Sequence, residues 1–426
     1  MSTQPAPLAP AAGKGSGLVI GICAAMILFD GYDLIVFGNV IPSLIAEPGW
    51  GITPAVAGRI ASLTLVGMLI GALTAGTLSD RFGRKSVVVA SLAWFSIAMA
   101  VCAAAPNAQV FEIAKIIGGL GLGALFPTVT ALVIEIAPER RKAMAYSFTL
   151  FGYLAGGILA GVLALALIPT LGWRSLFWVG ALPILLVPVA FKLLPESEAW
   201  LAAKSLTAEG QTVTRKSAAS SISALFKDGL ARNTLLAWGV QFCSLLLVFG
   251  MVNWLPTIMI GMGYNLQSAL FFAVTLNVGA VIGTLIAARI ADKGRTKPVV
   301  AALFTIGCLA VTALSFGPPT AVMFALVALA GAGTLGTQIL VNVFISSIYP
   351  AEIRGTGLGW ALGVGRLGAI MGPLIGGVIL GAGMPAQWNF YVFAVVAAIG
   401  MILALLVVVG IRNGQETLNN LKTVGN

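Results

Sequence analysis

Leu34-Ile-Val-Phe-Gly-Asn-Val40 returns, lightly altered, as Leu246-Leu-Val-Phe-Gly-Met-Val252, a shift of 212 residues from 34 to 246. The same shift carries Asp80 onto Asp292, with basic residues after both, and Pro138 onto Pro350, with an Arg following both. One such match is cheap in an apolar chain, but three in the same order mark a duplicated unit. Each copy contains six apolar stretches, and roughly 20 residues suffice to cross a bilayer. The twelve spans are expected at 18–44, 53–79, 86–105, 109–136, 144–168, 174–194, 233–259, 266–291, 297–316, 319–349, 357–383 and 388–411, separated by loops with Pro, Gly or charge. This reads as an all-α membrane protein, with twelve transmembrane helices in two pseudo-symmetric six-helix bundles, 18–194 and 233–411. A cytosolic linker at 195–232 divides them, and cytosolic tails at 1–17 and 412–426 flank them. Two parallel repeats imply alternating access, in which the bundles rock about a central site near the bilayer midplane.

Composition points the same way. Hydrophobic residues make up 59% of the 426 and charged residues only 9%, against about 25% charged in a soluble domain. Most of the surface must face lipid, which excludes a soluble enzyme. The chain has no His, and Cys23, Cys102, Cys243 and Cys308 each lie in an apolar stretch outside any CxxC pair. No metal site, cofactor, disulfide or catalytic constellation is therefore expected. The 52 glycines include the run Gly118-Gly119-Leu120-Gly121-Leu122-Gly123, where missing side chains let helices approach closely. The first sixteen residues are polar and carry a single Lys; they lack a signal peptide's charged n-region, so the first span is expected to be retained.

The net charge of +10 would suggest nucleic acid in a soluble protein, but here it follows the loops. Those after even-numbered spans hold Arg81, Arg84, Lys85, Arg140, Arg141, Lys142, Lys293, Arg295, Lys297 and Arg354, and the linker adds Lys204, Arg215, Lys216, Lys227 and Arg232. The opposite loops hold only Arg174. Cytoplasmic loops carry the excess of Lys and Arg, so both termini are expected inside, and no nucleic-acid partner is implied.

Gly76-Thr-Leu-Ser-Asp80-Arg81-Phe-Gly83-Arg84-Lys85, between spans 2 and 3, resembles the signature loop of the major facilitator superfamily. Phe29-Asp30-Gly31-Tyr32-Asp33 in span 1 is similar to the Asp-Gly-x-Asp motif of that superfamily's aromatic acid:proton symporters, the benzoate and hydroxybenzoate carriers. Gly121-Leu-Gly123-Ala-Leu-Phe-Pro127 and Gly363-Val-Gly-Arg366-Leu-Gly368 add to it. The superfamily resemblance covers essentially the whole chain. It implies the major facilitator fold and a carrier in a bacterial cytoplasmic (inner) membrane, acting as a monomer on a small aromatic carboxylate and protons. Two positions depart from the pattern: Lys115 stands in span 4 where an Arg is expected, and Asp292-Lys293-Gly294-Arg295 is one residue shorter than its first-half partner. Lysine keeps the charge but loses the planar fork that grips a carboxylate bidentately. Span 5 has no Gly-Pro pair of the kind antiporters of the superfamily often carry, which leans the reading toward symport.

Charges inside a span are costly and are functional hypotheses by default. Asp30 and Asp33 are three apart, on one helix face, and exist in one half only, since the shift places them on Phe242 and Leu245. Gly31 between them permits local opening of the helix. Two nearby carboxylates resist carrying charge together, so the pair is the candidate proton carrier; capping a broken helix or pairing with a cation is the structural alternative. Arg366 lies nine residues into span 11, roughly 14 Å along the helix. It can hold a carboxylate bidentately or bridge to Asp30 or Asp33. A substrate ring would pack on aromatic residues such as Phe37, Phe249, Trp254 or Trp360. Lys115 is a further substrate or entry candidate, against a local pair with Glu112. Asp80, Arg81, Arg84, Glu135, Arg140, Arg141, Asp292 and Arg354 read as a cytoplasmic gate whose charge-assisted bonds break when the bundles rock. Rival readings are a proton-coupled carrier of another organic acid or small metabolite, an exporter on the same fold, and a membrane sensor of aromatic acids.

Overall fold

A computed structural model of the chain describes residues 16–138, 141–197, 200–202, 204–205, 223–227, 229–350 and 353–408. All regular structure among them is helical. The six spans before the linker are α1 (Ser16–Ile45), α2 (Pro54–Phe82), α3 (Arg84–Ala104), α4 (Ala108–Ile136), α5 (Lys142–Leu171) and α6 (Arg174–Leu193). The six after it are α7 (Ala231–Gly261), α8 (Leu266–Ile290), α9 (Thr296–Leu314), α10 (Thr320–Ile348), α11 (Arg354–Gly381) and α12 (Gln387–Leu406). This is the expected set of twelve, with ends moved by a few residues. The tails and most of the linker lie outside the described residues.

Local chemistry sets the boundaries. Asn107 and Asn265 begin α4 and α8 by accepting the backbone N–H groups of Val110 and Ser268 at 2.9 and 2.8 Å, caps worth about 1 kcal/mol each. The trace from Leu266 to Leu314 is helical for 49 residues, roughly 73 Å at 1.5 Å per residue, far more than a bilayer's apolar thickness of about 30 Å. It divides into α8 and α9 at Lys293-Gly294, where Gly294 takes φ 77°. Gly83, at φ 90°, makes the matching turn before α3. The one-residue deletion in the second loop brings these two glycines into register, and a side chain is strained in that backbone region.

Two compact units emerge. The first comprises residues 1–34, 67–160 and 174–213. Its core joins α1, α3 and α4 through Cys23, Met26, Ile27, Leu92, Leu125 and Val129, all buried. Helices approach closely at small residues there, with Gly123 against the backbone of Met68 and Gly156 against the carbonyl of Leu28.

The second unit comprises residues 35–66, 161–173 and 214–426. Gly368 and Gly372 of α11 rest on the Phe242 and Leu246 carbonyls of α7. Residues 35–66 and 161–173 join this unit because their small side chains admit its helices: Gly38 meets the carbonyl of Val252, Gly58 meets Gly377, and Gly161 meets Val274. Ser62 adds a hydrogen bond, donating its hydroxyl to the Ile370 carbonyl at 2.7 Å. Large apolar side chains including Leu73, Phe151, Leu309 and Phe316 are left exposed, as a lipid-facing surface requires.

Candidate functional site

Asp30, Asp33 and Lys115 are the three buried charged side chains among the described residues. All belong to the first unit. Lys115 of α4 donates to both carboxylate oxygens of Asp33 on α1, at 2.8 and 3.1 Å. Its ammonium also lies 5.8 Å from the Phe177 ring centroid, a favourable cation–π distance. A small cavity adjoins the pair, lined by Asp33, Phe95, Met99, Cys102 and Lys115. Removing one member of such a buried pair leaves an uncompensated charge and costs about 3–5 kcal/mol.

The structure changes two expectations here. Lys115 reaches Asp33 across 82 residues of chain, joining two residues that the sequence places in separate roles. Gly31 does not open the helix, since α1 runs unbroken from Ser16 to Ile45. It serves close packing instead, because a Cβ there would strike the Tyr153 carbonyl. Tyr32 anchors the same turn by donating its hydroxyl to the Leu176 carbonyl at 2.9 Å.

The second unit holds the other expected contacts. The helix carrying Arg366 starts at Arg354, so the guanidinium lies roughly 18 Å along it, slightly deeper than the expected span placed it. Arg366 is half-buried and makes no hydrogen bond or ion pair among the described residues. Phe37 and Phe249 are buried. Trp254 is fully buried against Gly58, Gly376 and Gly377, and its indole N–H donates to the Pro373 carbonyl at 2.8 Å. Trp360 is 42% exposed and stacks on Trp238, with ring centroids 6.0 Å apart.

Sequence reasoning missed a neutral polar cluster in the same unit. The side-chain amides of Gln241 on α7 and Gln338 on α10 both donate to the Asn342 oxygen, each at 3.3 Å. Uncharged amides carry no signal in a search for intramembrane charge, although three of them inside apolar spans is a legible anomaly. Asn39, fully buried on α1, has neither end of its amide bonded among the described residues.

Of the expected gate, the structure brings together Arg84 and Glu135, which form an ion pair with side chains 29% and 27% exposed. Asp80, Arg81, Arg141, Asp292 and Arg354 are exposed. Arg354 donates to the Tyr349 carbonyl at 3.4 Å, and Arg140 lies outside the described residues. Two unforeseen linker residues fasten the signature loop. Glu196 accepts the Lys85 backbone N–H at 3.1 Å, and Trp200 donates its indole N–H to the Asp80 carbonyl at 2.8 Å. The Glu196 carboxylate thereby sits at the N-terminal end of α3, where the helix dipole favours negative charge.

The family model described as Major Facilitator Superfamily matches residues 23–282 and 275–423. The benzoate transport protein of Acinetobacter baylyi is 33% identical over 415 residues, covering 91% of this chain and 89% of its own length. The gentisate transporter of Corynebacterium glutamicum is 36% identical over 408 residues, covering 94% and 89%. The crystal structure of a D-xylose-proton symporter superposes with a TM-score of 0.71 at 21% identity, covering 92% of this chain and 97% of that one. At that identity the likeness is one of fold.

Proposed function

The chain belongs to the major facilitator superfamily, in its family of aromatic-acid carriers, and on that premise we propose that it imports an aromatic carboxylate in symport with protons by alternating access. The observation that carries this reading is Arg366, a half-buried guanidinium with no protein acid on it among the described residues. A planar fork kept without a protein partner has capacity for a carboxylate held by two parallel hydrogen bonds. Pairing also cancels the substrate's charge, which lowers the cost of holding it away from water. The relatives named for benzoate and gentisate transport supply the ring, and Trp360 with Trp238 offers a stacking surface for it.

Proton coupling falls to Asp33, with Asp30 one helical turn away on the same face. Protonation of Asp33 removes the charge that holds Lys115, so the α1–α4 contact responds to proton loading. In import, Asp33 or Asp30 takes a proton from the outer side while the acid engages Arg366. Access then alternates, and the proton leaves on the inner side. The Arg84–Glu135 pair acts as part of the inner gate. Both termini face the cytoplasm of a bacterium, and the protein works in its inner membrane.

Uptake of radiolabelled benzoate and 4-hydroxybenzoate into proteoliposomes under an inside-alkaline gradient tests the proposal. Accumulation that an uncoupler abolishes is expected for at least one of the two acids. Failure of folded protein to accumulate either, or accumulation indifferent to the uncoupler, overturns it.

A further inference from the structure

Serine and threonine hydroxyls inside these spans have a habitual partner. Ser96, Thr128, Thr149, Thr305 and Thr334 each donate to the carbonyl four residues back, at 2.6 to 2.9 Å. Ser244 of α7 breaks the habit: it is fully buried, and its hydroxyl has no partner among the described residues. One turn away on the same face, Gln241 is also fully buried, and its side-chain oxygen and that of Gln338 are unbonded among the described residues. In an apolar slab such unmet capacity is expensive, and a folded chain rarely leaves several instances side by side.

The bonds that do exist fix what is missing. Asn342 uses one oxygen to accept from both glutamines, which occupies its two lone pairs and points both glutamine oxygens elsewhere. Each free oxygen is one amide group away from that shared atom. Turning all three amides over together would keep the network and exchange free acceptors for free donors. A ligand hydroxyl, which both donates and accepts, satisfies either arrangement, whereas a carboxylate facing the free oxygens would be repelled. Gln241 and Gln338 each lie ten residues from the ends of their helices at Ala231 and Ile348, roughly 15 Å and hence near the bilayer midplane. Gly365, next to Arg366, packs against Gln241, where a Cβ would come within 2.6 Å of the glutamine Cγ.

We propose that Gln241, Gln338 and Asn342, with Ser244, form a subsite that reads a ring hydroxyl on the carried acid, so that the preferred cargo is a hydroxylated aromatic carboxylate rather than benzoate. The inference rests on the aromatic-carboxylate reading above and names the part of the ring that the second unit recognises.

The test is competition against radiolabelled 4-hydroxybenzoate and gentisate uptake in proteoliposomes, using those two acids unlabelled together with benzoate, 3-hydroxybenzoate and 4-methoxybenzoate. In the unmodified chain at least one hydroxylated acid should compete about tenfold or more better than benzoate and 4-methoxybenzoate, as expected when a site built to bond a hydroxyl meets an analogue lacking one. Gln241→Met and Gln338→Met should each bring that ratio to about one, with the loss falling on the hydroxylated acid. Equal competition by all five acids in the unmodified chain sinks this inference alone. A preference that survives both substitutions also sinks it, as does a folded variant in which hydroxylated acid and benzoate decline together. If none of the five is carried or competes, the aromatic-carboxylate reading itself fails.

Discussion

In the first unit, Asp33 and Lys115 meet at 2.8 Å in a buried, mutually neutralised pair. In the second, Gln241, Gln338 and Asn342 share one oxygen and leave two others unbonded among the described residues. Both arrangements place polar groups inside apolar helices, but the first is charged and largely satisfied, whereas the second is neutral and incomplete. A charged pair responds to a proton, because adding one to the carboxylate dissolves the attraction. An incomplete amide cluster is indifferent to protons and responds to a ligand that completes it. The duplicated halves have thus diverged in chemistry while keeping their helices, and the acidic pair of α1 has no counterpart on α7, where Phe242 and Leu245 stand.

The largest effect should come from breaking the charged side. Asp33→Asn removes the carboxylate that Lys115 bonds in the interior, and a loss of about 3–5 kcal/mol should appear as a lower melting temperature. Gradient-driven uptake should vanish with it. Adding Lys115→Met should restore the melting temperature without restoring uptake; accumulation that remains uncoupler-sensitive in the double variant would remove Asp33 from the coupling step. Next comes Arg366, a half-buried cation with no hydrogen bond or ion pair among the described residues. Arg366→Lys should weaken benzoate and 4-hydroxybenzoate binding about tenfold, equivalent to roughly 1.4 kcal/mol, and leave the melting temperature unchanged. A drop in melting temperature with unaltered affinity would make that Arg structural.

A smaller loss is expected at the helix contacts of the second unit. Gly38→Val forces side-chain atoms onto the Val252 carbonyl, and overpacking of this kind costs about 1–3 kcal/mol, measurable as lowered thermal stability and slowed uptake. The smallest change belongs to Glu135→Gln. Its partnership with Arg84 is partly exposed, so stability should shift by no more than about 1 kcal/mol. The uptake rate should still fall, and an unchanged rate would mean the pair anchors the loop without gating.

The spans were legible in the sequence because hydropathy is a one-dimensional property and a bilayer demands a fixed length of it. Asp30, Asp33, Lys115 and Arg366 were legible because charge in such a stretch is rare. Who meets whom was not. Lys115 has Glu112 one turn away in sequence, but its bond to Asp33 on α1 joins residues 82 apart and is set by tertiary packing that no local spacing displays. Trp254 illustrates the same limit: its aromatic ring is visible as a letter, but the glycines of α2 and α11 that enclose it lie far away in sequence. Glu196 and Trp200 sit in a segment that reads as a plain cytosolic linker, and only folding brings them to the signature loop.

Gly38 against the Val252 carbonyl and Gly58 against Gly377 have one more consequence, and it concerns speed. Apart from the Trp254 ring beside Gly58 and Gly377, these contacts set peptide against peptide, so little side-chain entropy is surrendered when they form. What holds them is dispersion, about 0.1–0.2 kcal/mol for each atom pair, given up gradually as a gap widens. A turnover that passes through such a seam should be nearly insensitive to which large residues surround it and acutely sensitive to a single methyl group placed within it.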